Sequence, residues 1–160
     1  MADRDIPDVP VNFVPASAGE IIDLGAIKVR VMEDGSRTDN RIGAAEIVVP
    51  AGTPGPPPHW HEMHDETFLV TGGTLRFHVP GQGDIDAATG DYIVVPTRSP
   101  HTFSNPFEVE AKFFNTYTPA FYINYFKLLS ILVKEGGGKM TPEVNERAMR
   151  GYATITLPKK

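Results

Sequence analysis

The sequence predicts an all-β protein, an antiparallel sandwich or barrel of short strands, closed by two helices at its C-terminal end. Three observations carry that expectation. Fifteen glycines and fifteen prolines among 160 residues favour many tight turns over long helices. From about Ile21 to Tyr117, apolar and polar residues alternate, which is the period of half-buried strands. Between Phe121 and Val133 the apolar spacing lengthens to that of a helix. The length suits one domain with a substantial core.

Residues 1–18 carry three prolines with scattered Val9, Val11, Phe13 and Val14, and read as an extended arm, either frayed or held against a sheet edge or a second subunit. Residues 19–118 form the β domain. Ile27, Val29 and Val31 alternate with Lys28, Arg30 and Met32, and Glu33-Asp34-Gly35-Ser36 turns the chain. Ile42 to Val49 is a second strand, stopped by Pro50. Phe68 to Thr71 leads through Gly72-Gly73 into Thr74–Val79, a hairpin with Leu75, Phe77 and Val79 on one face. Turns are expected at 80–84 and 87–91, followed by the short strand Tyr92–Val95 and a last strand from Val109 to Tyr117. Residues 119–160 form a helical cover. Phe121, Tyr125, Leu128, Leu129 and Leu132 make the apolar stripe of the first helix, ended by Gly136-Gly137-Gly138. Thr141-Pro142-Glu143 supplies an N-cap, a first-turn proline and an acid favoured by the helix dipole for a second helix running to Gly151.

Composition excludes several functions. With no cysteine, disulfides, thiolate metal sites and a cysteine nucleophile are impossible. A net charge of −5 without a Lys/Arg cluster argues against nucleic-acid binding. The polar N-terminus lacks the apolar core of a signal peptide, and no run approaches the length of a membrane span. A cytoplasmic protein is expected.

The chemistry concentrates in Pro56-Pro57-Pro58-His59-Trp60-His61-Glu62-Met63-His64-Asp65-Glu66. The prolines enforce an extended approach, so His59 and His61 share one face and Trp60 points to the other. Glu66 opens the next strand and can converge with them. The missing partner is His101, which an antiparallel fold brings back beside His59 and His61. Three imidazoles and one carboxylate suit a divalent first-row metal, with about two positions left for water, dioxygen or a substrate oxygen. His64, three residues beyond His61, has poor strand geometry for a ligand and is assigned a solvated or supporting role. His78 is read as structural, and Asn105 as closing a turn onto backbone.

These residues resemble the cupins. The first cupin motif, G-x5-H-x-H-x3,4-E-x6-G, is matched by His59, His61, Glu66 and Gly73. The second, G-x5-P-x-G-x2-H-x3-N, is matched by Gly90, Pro96, His101 and Asn105. The resemblance spans roughly Gly43 to Val133 and is strongest to small quercetin dioxygenase-like cupins. Two glycines depart from the pattern: Thr53 stands at the start of the first motif, and Arg98 at the second glycine of the second. The resemblance implies a double-stranded β-helix (jelly-roll) barrel, one divalent metal per chain held by His59, His61, Glu66 and His101, and a homodimer. Fe2+ is the favoured ion, with Mn2+, Ni2+, Cu2+ and Zn2+ also accepted by such a donor set.

Phe68, Phe77, Phe103, Phe113 and Tyr117 are core residues, some of them expected to wall an aromatic cavity; Phe68 and Phe103 share strand parity with Glu66 and His101. Arg98 is either a solvated loop arginine or a residue of the pocket mouth, where it could attract an anionic or phenolic substrate. The expected activity is dioxygenase-type attack on a small aromatic or polyketide-like substrate, with Glu66 both ligand and catalytic base. Redox-neutral isomerisation, cyclisation or dehydration of the same substrate class is the alternative, and a non-catalytic ligand-binding cupin the third reading.

Overall fold

A computed structural model describes residues 6–158. The first five residues of the predicted arm and the last two of the predicted cover lie outside the described residues. The strands in chain order are β1 (Glu20–Leu24), β2 (Ile27–Glu33), β3 (Gly43–Val49), β4 (His59–His61), β5 (Asp65–Gly72), β6 (Thr74–Val79), β7 (Gly83–Ala88), β8 (Tyr92–Val95), β9 (Thr102–Ser104) and β10 (Ala111–Thr118). A single 3-10 turn, Ala120–Tyr122, leads into the helices α1 (Ile123–Glu135) and α2 (Pro142–Arg150), and the chain returns as β11 (Thr154–Thr156).

All strand pairs are antiparallel. The larger sheet has the order β1-β2-β3-β10-β5-β8 and the smaller the order β7-β6-β9, while β4 pairs with β11. The ladders do not close into one continuous barrel; the two main sheets are joined through their side chains. Phe68 of the larger sheet meets Phe77 of the smaller at 5.0 Å between ring centroids, and Phe103 meets Phe113 at 5.3 Å. Offset and edge-to-face rings at this separation add to the burial of their area. The architecture is that of a jelly roll.

The period-two pattern works as expected in β2, where Ile27, Val29 and Val31 are buried. Two of the strands that the sequence reading did not name show why. In β7 only Ala87 is buried, so the strand offers almost no apolar signal. Its pairing is reinforced from outside by Arg76, which makes two bonds to Asp86 (2.6 and 2.8 Å), and by His78, 2.7 Å from Asp84. His78 also reaches Ser104 at 2.8 Å and so ties the three strands of the smaller sheet on its outer face. The second, β11, interrupts the expected all-helical cover.

Both helices lie where their signals put them. Thr141 caps α2 by accepting from the Val144 N–H, and α1 buries Ile123, Tyr125, Phe126, Leu129, Leu132 and Val133. Ser130 of α1 hydrogen-bonds the Asp23 carbonyl on β1, and the Tyr125 hydroxyl donates to Asn145 of α2, so the helices are seated on the larger sheet and on each other. Residues 6–15 form no strand, and Ile6, Val9, Val11 and Phe13 are 80–97% exposed. Among the described residues no helix is long and apolar enough to cross a membrane.

Candidate metal centre

The proline-stiffened approach delivers His59 and His61 to one face of β4, both buried, with Trp60 half-buried on the other. Gly55, at the start of that approach, passes so close to Phe103 that a Cβ would overlap its carbonyl oxygen. His101 reaches the same place through a backbone exchange with His59: the His59 N–H donates to the His101 carbonyl at 3.0 Å, and the reverse bond is 2.8 Å. Glu66, second residue of β5, places Oε2 at 3.3 Å from Nε2 of both His61 and His101. All four side chains are buried.

The ring tautomers follow from the outward-facing nitrogens. Nδ1 of His59 is 2.7 Å from the Pro57 carbonyl and Nδ1 of His101 is 3.0 Å from the Ser99 carbonyl. A carbonyl only accepts, so both rings carry their proton on Nδ1 and present a lone pair at Nε2. Nδ1 of His61 is 2.8 Å from the Thr154 hydroxyl. The ligand atoms of His59, His61 and His101 lie within 4.8 Å of one another, and Nε2 of His61 is buried without a hydrogen-bond partner. A buried polar atom is costly to leave unpaired; converging lone pairs beside a carboxylate are satisfied together by a cation. The residues fit a divalent metal.

Electrostatics agree. Burial, with His101 and His61 alongside, lowers the His59 pKa to about 3, and burial likewise lowers that of His61. Burial pushes the Glu66 carboxyl up, but His61, His101 and His64 together hold it well below the usual range. Neutral imidazoles and an ionised carboxylate are the forms that bind metal. The same shifts fix how stability of the metal-free protein responds to pH. Between about pH 6.5 and 3 the unfolded chain takes up a proton at His59 that the folded chain refuses, so stability falls as pH drops through that window. Burial raises the hydroxyl pKa values of Tyr117, Tyr122 and Tyr125 above the ordinary 10, so stability also falls as pH climbs past 10. The expected urea midpoint is flat between these limits; one that does not move from pH 6.5 to 4.5 contradicts the His59 environment.

Of the two roles expected for His64, solvated or supporting, the structure favours the supporting one. It is 1% exposed, with Nε2 3.5 Å from Glu66 Oε1 and its ring 4.1 Å from His61 and 4.3 Å from Tyr122. Strand parity misplaced it because β4 ends at His61 and the chain bends at Glu62 and Met63. With His61 and Glu66 it forms a second possible ligand set, yet neither of its ring nitrogens has a hydrogen-bond partner, unlike the oriented rings of the first set. His64→Ala is therefore expected to keep most of its metal, since it removes no oriented ligand; elemental analysis and competition titration check this.

A cavity of about 1830 Å3 opens onto His59, Glu66 and His101. Phe68, Phe103 and Tyr117 line it, as do Val29, Leu129 and Met149. Phe77 and Phe113, also candidates for the pocket, are fully buried behind the wall, packed on Phe68 and Phe103. Arg98 does not line the cavity: its side chain is 73% exposed and sits 3.6 Å from Glu62. Its backbone has φ 67°, so it keeps the left-handed turn that a glycine adopts freely, at a cost of order 1 kcal/mol, and its N–H holds the His61 carbonyl at 2.7 Å. Asn105 bonds backbone only, as expected. Sequence reading missed Tyr122, Tyr125 and Thr154 as site residues. Tyr125 was hidden in a helical stripe that reads as core, Tyr122 in the turn before that helix, and Thr154 in an unrecognised strand.

Comparisons with known proteins agree with the fold. The family described as Cupin domain matches residues 45–117. The structure of KdgF from Halomonas sp. is similar at TM-score 0.60, with 19% identity over 69% of this chain and 94% of that one. An RmlC-like cupin from Shewanella frigidimarina gives TM-score 0.58 and 23% identity, over 69% and 93%. A sugar phosphate isomerase of the cupin superfamily from Silicibacter pomeroyi gives TM-score 0.52 and 22% identity; the similarity spans 59% of this chain and only 60% of the isomerase's length. A search of curated proteins found no match.

Proposed function

We propose that this chain, which carries a cupin domain on the cupin fold, is a metal-dependent enzyme acting on a small, mainly apolar molecule, aromatic or polyketide-like, by dioxygenase-type chemistry. The observation that carries the reading is the union of two features. A three-histidine, one-carboxylate centre opens into a large cavity, and the only cations lining that cavity among the described residues, Lys139 and Arg150, are exposed on its C-terminal rim. Away from the metal, no buried side-chain cation would pair with a phosphate, whereas an apolar guest gains from the walls. His59, His61, His101 and Glu66 would hold one divalent ion, Fe2+ in the favoured case or Mn2+, Ni2+, Cu2+ or Zn2+. Such an ion supplies Lewis-acid polarisation of a substrate oxygen and, when redox-active, electrons for dioxygen.

The chain's own residues do the rest. Phe68 and Phe103 hold the apolar body of the guest and exclude water. Glu66, ionised in the folded protein, is positioned to take a proton from an enol or phenol brought beside it. Tyr122, a neutral hydroxyl lining the same cavity as Glu66, favours a second reading, redox-neutral isomerisation, cyclisation or dehydration, because it could hydrogen-bond a developing oxyanion while the carboxylate acts as base. Turnover of a phenolic test substrate by the Fe2+-loaded protein, with and without oxygen, separates them: activity lost under nitrogen supports the dioxygenase, anaerobic turnover removes it. Binding without turnover in either gas would leave a ligand-binding cupin.

The exposed apolar arm supports a homodimer in which Val9, Val11 and Phe13 are covered by a second copy. Deleting residues 1–18 is expected to convert a dimer to a monomer by light scattering; an unchanged mass removes the arm from the interface.

A further inference from the structure

We propose that Thr154, delivered by the C-terminal strand, is the positioning residue that makes His61 a metal ligand, so that metal affinity depends on the docking of the cover. The proposal rests on the metal reading above. His59 and His101 are oriented by carbonyls two residues away in their own loops. His61 is different: its Nδ1 contact is a side chain 93 residues distant.

A hydroxyl could either donate to that nitrogen or accept from it, and the two cases have opposite consequences. If it donated, the ring proton would move to Nε2 and the lone pair facing the centre would vanish. The Tyr152 carbonyl points to the other case. It can only accept, and it lies 3.2 Å from the Thr154 hydroxyl; with its one proton given there, the hydroxyl accepts from His61 Nδ1–H and leaves Nε2 free. Tyr152 thereby sets the direction of the chain of bonds, and Thr154 passes it to the ring.

The backbone around Thr154 is built for this placement. β11 pairs residue for residue with the ligand strand, Thr154 opposite His61 and Thr156 opposite His59. The Glu62 N–H donates to Ala153 at 2.9 Å and the Leu157 N–H to Pro58 at 2.8 Å, so β4 is held on one edge by His101 and on the other by β11. Ala153, the residue that turns the chain from α2 into β11, has φ 48°, a conformation that costs a non-glycine residue about 1 kcal/mol or more. Thr154 itself is 1% exposed. The strain is held by the docked cover, and its result is a buried hydroxyl aimed at one ligand.

The test compares Thr154→Val, which keeps the shape and removes the hydroxyl, with Thr154→Ser, which keeps the hydroxyl. Co2+ is titrated into metal-free protein against a chelator. The expected result is affinity lowered roughly 10–100-fold in the valine variant, the usual size of an outer-shell effect, and restored to within about threefold by serine. Nitrogen-15 correlation spectra of the metal-free wild type are expected to show His61 protonated at Nδ1. Valine within twofold of wild type overturns the proposal, and so does Nε2–H at His61 in the wild type, even if the valine variant does not fold. A wild type that binds no Co2+ fails the metal reading itself, a distinct outcome.

Discussion

Replacing His101 with alanine is expected to remove the metal and the activity together. His101 supplies one of the converging Nε2 atoms and stands 3.3 Å from Glu66. Without it His59, His61 and Glu66 remain, and one edge of the centre lies open to the cavity. Loss of a partner that merely orients a ligand costs 10–100-fold in affinity, so loss of the ligand itself should cost at least about 100-fold. The fold should survive, because His101 exchanges backbone bonds with His59 that alanine also makes. Thermal unfolding distinguishes the two effects: metal added to wild type raises the transition by preferential binding to the folded state, and the same metal leaves the variant's transition in place. A variant that still purifies with one metal per chain would show that the His61–His64–Glu66 set, and not His101, holds it.

What was legible in the sequence divides along a physical line. The convergence of His59, His61, Glu66 and His101 was legible because simple rules bring them together: a proline run forces extension, extension fixes parity, and an antiparallel return sets His101 against His59. Wherever the chain left regular structure the same rules failed. His64 follows a bend, so parity did not apply, and it proved buried against Glu66. Arg98 had two readings, solvated or at the pocket mouth; its backbone substitutes for the motif's glycine and its side chain goes to solvent. Phe77 and Phe113 have the composition of a cavity wall, but only the packing of two sheets decides which aromatic is in front, and Phe68 and Phe103 are. β7 and β11 have three or fewer inward positions between them that are apolar or small, so they form through pairing with neighbours that already exist. Thr154 belongs to this last class, since nothing local marks a threonine as the partner of a histidine 93 residues earlier.

Asn105→Asp should be the most damaging conservative change outside the metal centre. The Asn105 side chain is fully buried, and its amide nitrogen faces three carbonyls, those of Val49 at 3.0 Å, Pro50 at 3.1 Å and Val109 at 2.9 Å. Its oxygen accepts from the Phe107 N–H at 3.1 Å, and its own N–H donates to Thr53 at 2.9 Å. The side chain thus knots the end of β3, the loop leading to His59 and the segment leaving β9, with two donor protons shared among three acceptors. Aspartate has the same shape and no such donors. Ionised, it sets a buried negative charge against three carbonyl oxygens; protonated, it returns one donor in place of two. Removing one side of a buried polar arrangement costs about 3–5 kcal/mol when a charge is left uncompensated, which for a chain of this size lowers Tm by roughly 6–20 °C. The sign of the pH dependence identifies the cause. Burial raises the folded-state pKa of the new carboxyl above its unfolded value, so the penalty is full at neutral pH and shrinks as pH falls through the raised pKa. The gap in Tm between variant and wild type should therefore narrow at pH 5 relative to pH 7. A gap under 2 °C at pH 7 would mean the knot contributes little. A gap that stays constant with pH would mean the loss lies in the missing hydrogen bonds alone and that the charge is never buried.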